Sequence, residues 1–302
     1  MILRAGARRL TLAGRPLLMG ILNATPDSFS EARGDLDSLP VRLERACALV
    51  AAGADIVDVG GESARGDRPP VPVGEEIARV EALVSALAKD GVLTSVDTYK
   101  YDVAAAAIAA GASIVNDVSG LRDERLAALC ASTGAALVIM HTAVEPKGTL
   151  LDPATYSDVA VEVVEFLRER IAVALAAGVS EEQLILDPGP DFAKTPAQTV
   201  AVLRRMDLLR AFGRPILLAA SRKDFVGAIT GRPPAERDPG TLAALGWGVD
   251  EGASILRVHD VAGAADYLAV RSVLRGERVL GELEGLSPER YPDGVPPHLP
   301  LG

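Results

Sequence analysis

Aromatic residues make up only 4% of this 302-residue chain, although 49% of it is hydrophobic. A core built from such a sequence is aliphatic, and its alanine-rich stretches suit helices lying close against a sheet. Cysteine is nearly absent. Cys47 and Cys130 are the only two, both in apolar, helix-like settings, and they are expected as buried reduced thiols rather than a disulfide. The apolar content is enough for a sizeable core without a covalent staple. No apolar stretch approaches the ~18 residues of a membrane span, and the N-terminal region, with Arg4, Arg8 and Arg9, has no apolar segment of signal-peptide length. The expectation is a soluble, cytoplasmic protein that binds no membrane. Positive charge is scarce as well: 31 Lys and Arg face 41 Asp and Glu, a net −10. Such a surface has no basic stripe to displace counterions, which excludes nucleic acid as a partner. Long-range steering of an anionic substrate is excluded on the same ground, so an anion site needs local cations. Arg65, Arg222, Lys223, Arg257 and His259 stand where they would form one.

Eight short apolar runs each end in polar chemistry. Met19–Leu22 leads into Asn23-Ala-Thr-Pro-Asp-Ser-Phe-Ser30, and Ile56–Val59 into Asp58-Val-Gly-Gly-Glu-Ser63. Val92–Val96 ends in Asp97-Thr98, Ser113–Val115 in Asn116-Asp117, and Leu137–Met140 in His141. Leu184–Leu186 ends in Asp187-Pro-Gly189, and Ile216–Ala220 in Ser221-Arg-Lys223. Ile255–Val258 surrounds Arg257 and ends in His259. A buried strand that stops abruptly in acids, amides and cations is delivering them to a ligand.

Between the runs the period is helical. In Gly74–Asp90, Ile77, Val80, Leu83, Val84 and Leu87 share one face, with Glu75, Glu76, Arg79 and Lys89 elsewhere. Further helices are expected at Val41–Ala52, Val103–Ala110, Arg125–Ser132, Val159–Ala177, Pro196–Phe212, Gly240–Glu251 and Gly263–Leu274. Gly53, Gly111, Gly134, Gly178 and Gly252 follow helical segments, where C-capping glycines belong. Strict alternation of strand and helix argues for a parallel sheet. Eight units in about 250 residues is the count and size of a closed (β/α)8 TIM barrel, with the active site at the C-terminal strand ends. An open doubly wound sheet is the competing architecture. Residues 1–284 are expected to form the barrel and 285–302, rich in proline, an extended tail.

Read in order, these phrases resemble the dihydropteroate synthases of the pterin-binding barrel superfamily. The resemblance rests on Asn23-Ala-Thr-Pro-Asp-Ser-Phe-Ser30, Asp58-Val-Gly-Gly-Glu-Ser63, Ser95-Val-Asp-Thr98, Asn116-Asp117-Val-Ser-Gly120, Asp187-Pro-Gly189, Ser221-Arg-Lys223 and Arg257-Val-His-Asp260. They stay in register from about residue 10 to residue 275. The family condenses 6-hydroxymethyl-7,8-dihydropterin diphosphate with p-aminobenzoate, releasing diphosphate, in folate synthesis. The resemblance implies a pterin site of Asp97, Asn116, Met140, Asp187 and Lys223. It implies diphosphate contacts from Asn23, Arg257 and His259, with Mg2+ at Asn23 as cofactor, and catalysis by Asp97, Arg257 and His259. The acceptor pocket it implies is Thr25, Ser63, Arg65, Phe192 and Asp224. Members tend to dimerise through outer helices, which makes a homodimer one expected assembly. For Arg257 the competing reading is a salt bridge to Asp260 or another strand-end acid. For His141 and Met140 it is packing behind the site.

The acceptor half departs from the family. Where members read Gly-Gly-Glu-Ser-Thr-Arg-Pro, this chain has Ala64, Arg65 and Gly66. Glu31 to Asp35 replaces an acidic-Gly-Gly run, Asp191-Phe-Ala-Lys194 a small-Phe-Gly-Lys ending, and the stretch from Thr142 to Lys147 differs too. Asp224 stands where members carry a serine whose hydroxyl and N–H receive the acceptor's carboxylate. Two carboxylates about 4 Å apart repel by roughly 1–4 kcal/mol, unless Asp224 caps its helix and turns aside. The leading expectation is a dihydropteroate synthase. Its alternative is a paralogue that binds pterin with an altered or lost acceptor site. A methyltransferase on the same barrel is disfavoured by Asn23-Ala-Thr-Pro and Arg257-Val-His259.

Overall fold

The computed structural model describes residues 1–24, 38–63 and 68–281. Eight parallel strands form the expected barrel: β3 (Leu17–Asn23), β4 (Ile56–Gly60), β5 (Thr94–Asp97), β6 (Ile114–Asp117), β7 (Ala136–Met140), β8 (Leu184–Asp187), β9 (Leu217–Leu218) and β10 (Ile255–Val258). Their order around the sheet is β8-β7-β6-β5-β4-β3-β10-β9. The ring is drawn together by a parallel bridge from Leu186 to Ile216 and by the Leu186 N–H donating to the Pro215 carbonyl at 2.9 Å. β9 is the shortest strand, and it lies at this seam.

A hairpin not expected from the sequence precedes the barrel, β1 (Ile2–Ala5) pairing antiparallel with β2 (Arg8–Thr11). Leu3 and Ala5 are fully buried in one cluster with Met19, Ile56, Leu93, Ile114, Ala136, Ile185, Leu217 and Ile255. Those residues begin the barrel strands, so the hairpin plugs the N-terminal end. Apolar side chains fill that end, and polar chemistry is left to the other.

The helices are α1 (Leu39–Ala51), α2 (Val73–Lys89), α3 (Tyr101–Ala110), α4 (Arg125–Thr133), α5 (Val159–Ala176), α6 (Pro196–Leu203), α7 (Asp207–Arg210), α8 (Asp224–Thr230), α9 (Asp238–Asp250) and α10 (Val261–Leu274). The helix expected over Pro196–Phe212 is two. The Leu203 carbonyl accepts from the Trp247 indole at 2.9 Å, and the following turn tightens to an Arg205 N–H to Val202 carbonyl bond. The helix face expected for α2 holds with one correction: Glu76 is buried on it, donated to by Thr98 Oγ1 at 2.8 Å and Lys100 Nζ at 2.6 Å. A second correction concerns Cys47, which is exposed on α1; Cys130 is buried, and both are free.

The chain divides into two compact units, Met1–Ala265 and Asp266–Gly302. Within the second, Arg271 and Arg275 lie 3.6 and 3.5 Å from Glu277. The proline-rich tail expected from residue 285 lies outside the described residues. Among the described residues no helix is long and apolar enough to cross a membrane.

Candidate active site

Side chains alternate along a strand, so residues two apart share a face. From the apolar plug, that parity runs Ile56–Asp58–Gly60 on β4 and Leu93–Ser95–Asp97 on and before β5. It runs Ile114–Asn116 on β6 and Ile185–Asp187 on β8, then Leu217–Ala219–Ser221 from β9 and Ile255–Arg257–His259 from β10. Each of these rows begins apolar and carries a polar side chain toward its C-terminal end. The barrel interior is therefore a greasy floor beneath a ring of acids, amide and cations at the C-terminal mouth.

Arg257 joins the ring. Its Nε donates to Asp58 Oδ2 at 2.6 Å and one Nη to Asp97 Oδ2 at 2.6 Å. The salt-bridge reading of Arg257 is thus realised, with Asp58 and Asp97 rather than Asp260, whose Oδ1 instead accepts the Gly263 N–H at 3.0 Å and caps α10. The same Asp58 oxygen accepts from Asn116 Nδ2 at 3.0 Å. Asp58 is wholly buried and its Oδ1 has no partner. It ties β4, β6 and β10 together, yet sequence reasoning quoted it only within a phrase and gave it no role. The signal was there: an acid at inward parity inside the apolar run Ile-Val-Asp-Val. Burial raises Asp97 to about 7, with Arg257 and Lys223 pulling down and Asp58 and Glu76 pushing up. The opposing acids hold Arg257 firmly charged, against the effect of its burial.

Asp187 completes the acids. Burial lifts it to about 6, opposed by the Gly189 N–H, Lys223, Lys194 and Arg257. Its Oδ1 accepts from Gly189 N at 2.7 Å. Lys223 follows β9 and carries its Nζ 4.2 Å from the centre of the Phe192 ring. Burial lowers its pKa while Asp191 and Asp187 pull it back up. Arg222 does not join them: it forks onto Asp238 at 2.8 Å through both Nε and Nη2, away from the mouth. His259 is held through Nδ1 by Ser221 Oγ at 2.9 Å. Ser221 Oγ also accepts the His259 N–H at 3.2 Å, so one hydroxyl holds both the ring and the backbone of His259. Burial and the cations Arg222 and Arg257 depress His259 to about 4.

Met140 is buried at the end of β7. His141 is packed behind the mouth, its ring edge-on to Phe166 at 4.9 Å and its Nδ1 2.8 Å from Lys194 Nζ. Burial and Lys194 push His141 down to about 2. Lys194 was not expected as a site residue. It is almost entirely buried and also donates to the carbonyls of Gly189 and Phe192 at 2.9 and 3.1 Å, so it pins the loop that carries Asp187 to Phe192. Burial brings it to about 7. Gly189 shows how tight that loop is: at φ +64° its place for a Cβ is 2.1 Å from the His141 carbonyl oxygen. Strand pairing holds that carbonyl, since the His141 N–H bonds Asp187 O at 2.9 Å. Gly189→Ala is expected to lose roughly 2–4 kcal/mol of stability through the clash and the left-handed backbone. A melting temperature within 2 °C of the native protein's contradicts this.

The acceptor residues fare differently. Thr25, Ala64 and Arg65 lie outside the described residues. Ser63 stands at the edge of β4's loop, its carbonyl accepting from Lys147 Nζ at 2.8 Å; the same amine reaches the Arg68 carbonyl at 3.2 Å. Asp224 neither caps its helix nor faces the mouth. It is the first residue of α8, after the N-cap Lys223. Its side chain is 83% exposed and pairs with Arg237 at 2.8 Å. Asn23 ends β3 with its side chain exposed.

Residues 19–259 match the family described as pterin binding enzyme. The dihydropteroate synthase of Bacillus subtilis is 41% identical over 254 residues, which is 83% of this chain and 86% of that one. A Thermus thermophilus dihydropteroate synthase solved in complex with 4-aminobenzoate is 43% identical with a TM-score of 0.81, covering 91% of this chain and all of its own. The Burkholderia cenocepacia enzyme, complexed with 7,8-dihydropteroate, is 40% identical with a TM-score of 0.82, over 91% and 97%.

Proposed function

The chain belongs to the pterin-binding enzyme family as a dihydropteroate synthase, and on that premise we propose how its barrel mouth works. It is a transferase of folate biosynthesis, condensing 6-hydroxymethyl-7,8-dihydropterin diphosphate with p-aminobenzoate and releasing diphosphate. The observation that carries the site assignment is the hydrogen-bonded knot of Asp58, Asp97, Asn116 and Arg257 beside Asp187 and Lys223.

A reduced pterin presents a fixed row of donors and acceptors, which this ring matches. Asp187 takes the ring's amino and amide N–H groups. Asn116 and Asp97 meet other ring positions, Lys223 faces the carbonyl side, and Met140 supplies an apolar contact. Buried groups matched in this way discriminate strongly against analogues that lack a partner. The remaining Nη of Arg257 has no partner among the described residues, and His259 presents its Nε2 edge. Both are assigned to the diphosphate, in charge-assisted hydrogen bonds. Asn23 fits Mg2+, which takes one or two protein oxygens with phosphate and water: its exposed amide makes no hydrogen bond to the described residues. When bound there, the ion neutralises the leaving group.

In the transfer, the C–O bond to diphosphate breaks as the arylamine nitrogen bonds the pterin methylene, and that nitrogen passes one proton to solvent. Positive charge develops on the methylene, where Asp97 stabilises it electrostatically. Thr25, Ser63, Arg65 and Phe192 are assigned to holding the arylamine in line. We read the enzyme as cytoplasmic. Incubating the protein with pterin diphosphate, Mg2+ and p-aminobenzoate is expected to give dihydropteroate. Its absence, with pterin binding intact, overturns the assignment.

The acid at about 6 sets a pH dependence. Ionised Asp187 accepts from the ring's N–H groups with both oxygens free of protons and with charge assistance, so a non-titrating pterin analogue binds more tightly as pH rises through 6. Below that pH affinity falls by about tenfold per unit, and above pH 7 the Asp187 contribution is flat. Titration calorimetry at pH 5, 6, 7 and 8 tests this, and a profile flat from pH 5 contradicts it.

A further inference from the structure

Lys147 lies in the loop between β7 and α5 at φ +66°. The Gly148 N–H donates to the Glu145 carbonyl at 2.8 Å, closing a turn with Pro146 and Lys147 at its centre. Positive φ at the second central position of such a turn suits glycine or asparagine, so a lysine there is strained. What its side chain reaches accounts for it. That side chain is only 9% exposed and extends to the loop between β4 and α2, three strands along the sheet. There its amine donates to the carbonyls of Ser63 at 2.8 Å and Arg68 at 3.2 Å, and it lies 3.5 Å from Glu62 Oε1. Glu62 braces the same loop further on: its Oε2 accepts the Val71 N–H at 2.5 Å and Lys100 Nζ at 2.8 Å. Lys100 also donates to the Val71 carbonyl and to Glu76 Oε2, both at 2.6 Å. Two lysines thus balance two buried acids beneath one loop. Glu62 and Lys100 hold Val71, and Lys147 holds the Ser63 and Arg68 carbonyls.

We propose that Lys147 is a positioning residue for the acceptor: by tying the Ser63 and Arg68 carbonyls to one amine, it fixes Ser63 where p-aminobenzoate is held. The inference rests on the synthase reading and deepens it by naming the group that sets Ser63, one of the residues assigned to the arylamine. One ammonium bonded to two carbonyls of a loop sets their separation. Ser63 cannot shift without breaking a charge-assisted hydrogen bond in a site largely shielded from water. The bonds of Lys147 go to none of Asp97, Asn116, Asp187 and Lys223, so its removal spares the pterin half of the site.

The test compares the native enzyme with Lys147→Gly and Lys147→Met. Glycine removes the amine and relieves the turn, whereas methionine removes the amine and keeps an apolar stem. In both variants KM for p-aminobenzoate is expected to rise about tenfold. Turnover at saturation, and the affinity for a pterin analogue measured by calorimetry, change less than about twofold. A KM for p-aminobenzoate within about twofold of the native value in both variants overturns the proposal. So does an equal weakening of p-aminobenzoate and the pterin analogue, which marks a purely structural lysine. A loss in only one of the two variants overturns it as well, because both lack the amine. If the native enzyme binds the pterin analogue but condenses nothing with p-aminobenzoate, the synthase reading fails and the inference with it.

Discussion

Asp187→Asn is expected to weaken binding of a 7,8-dihydropterin analogue by more than a hundredfold while leaving the fold intact. The Asp187 carboxylate has two oxygens, and one of them is committed to Gly189 N at 2.7 Å. The other has no bond from a described residue and is the acceptor assigned to the ring. Asparagine has a single carbonyl oxygen. If it keeps the Gly189 bond, its NH2 faces the ring's N–H groups, donor against donor. If it turns to the ring, a buried N–H is stranded in a loop that Lys194 holds closed. Either way charge-assisted hydrogen bonds worth about 1.5–3 kcal/mol each are lost and a buried donor is left unmatched. The sum exceeds the 2.8 kcal/mol of a hundredfold change. Calorimetric titration at pH 7.5 measures it, and an affinity within threefold of the native value removes Asp187 from the pterin reading.

Much of this arrangement is written locally. Apolar runs that end in Asp97, Asn116, Asp187 and Lys223 locate the mouth, because period 2 and a buried parallel sheet leave polar groups only at strand ends. The glycines that end helices are equally readable; Gly111, for one, has φ +117°. What was not legible depends on contacts across the barrel. Asp58 reads as part of an apolar strand until its inward parity places it against Arg257, 199 positions away. Lys194 reads only as the close of the Asp191-Phe-Ala-Lys194 phrase, but loop 187–194 folds over it and supplies two carbonyls. Glu76 reads as the polar face of α2 until Thr98 and Lys100 are brought to it. The N-terminal hairpin is short and arginine-rich, with only Leu3, Ala5 and Leu10 to give it away. Asp224 misled in the other direction: its distant partner Arg237 decides where its charge goes.

Asp58→Ala should lower stability by about 3–5 kcal/mol, because it leaves the largely buried guanidinium of Arg257 with Asp97 alone and the Asn116 amide without its acceptor. The unpartnered Asp58 Oδ1 offsets a little of that, since its removal relieves an unmet acceptor. In thermal denaturation the change corresponds to roughly 5–8 °C for a chain of this size. Arg257→Met fails for the opposite reason, leaving Asp58 and Asp97 buried without the cation that holds them together. The pair removed at once, Asp58→Ala with Arg257→Met, loses the Asp58–Arg257 interaction once, whereas each single change counts it separately. It should therefore lose less than the sum of the two, by about 2 kcal/mol or more, a coupling that distant sites do not show. All three variants lose turnover, so denaturation separates the knot's structural part from its catalytic one. Losses that add to within 0.5 kcal/mol mean that the two side chains act independently, and that Asp58 does not position Arg257.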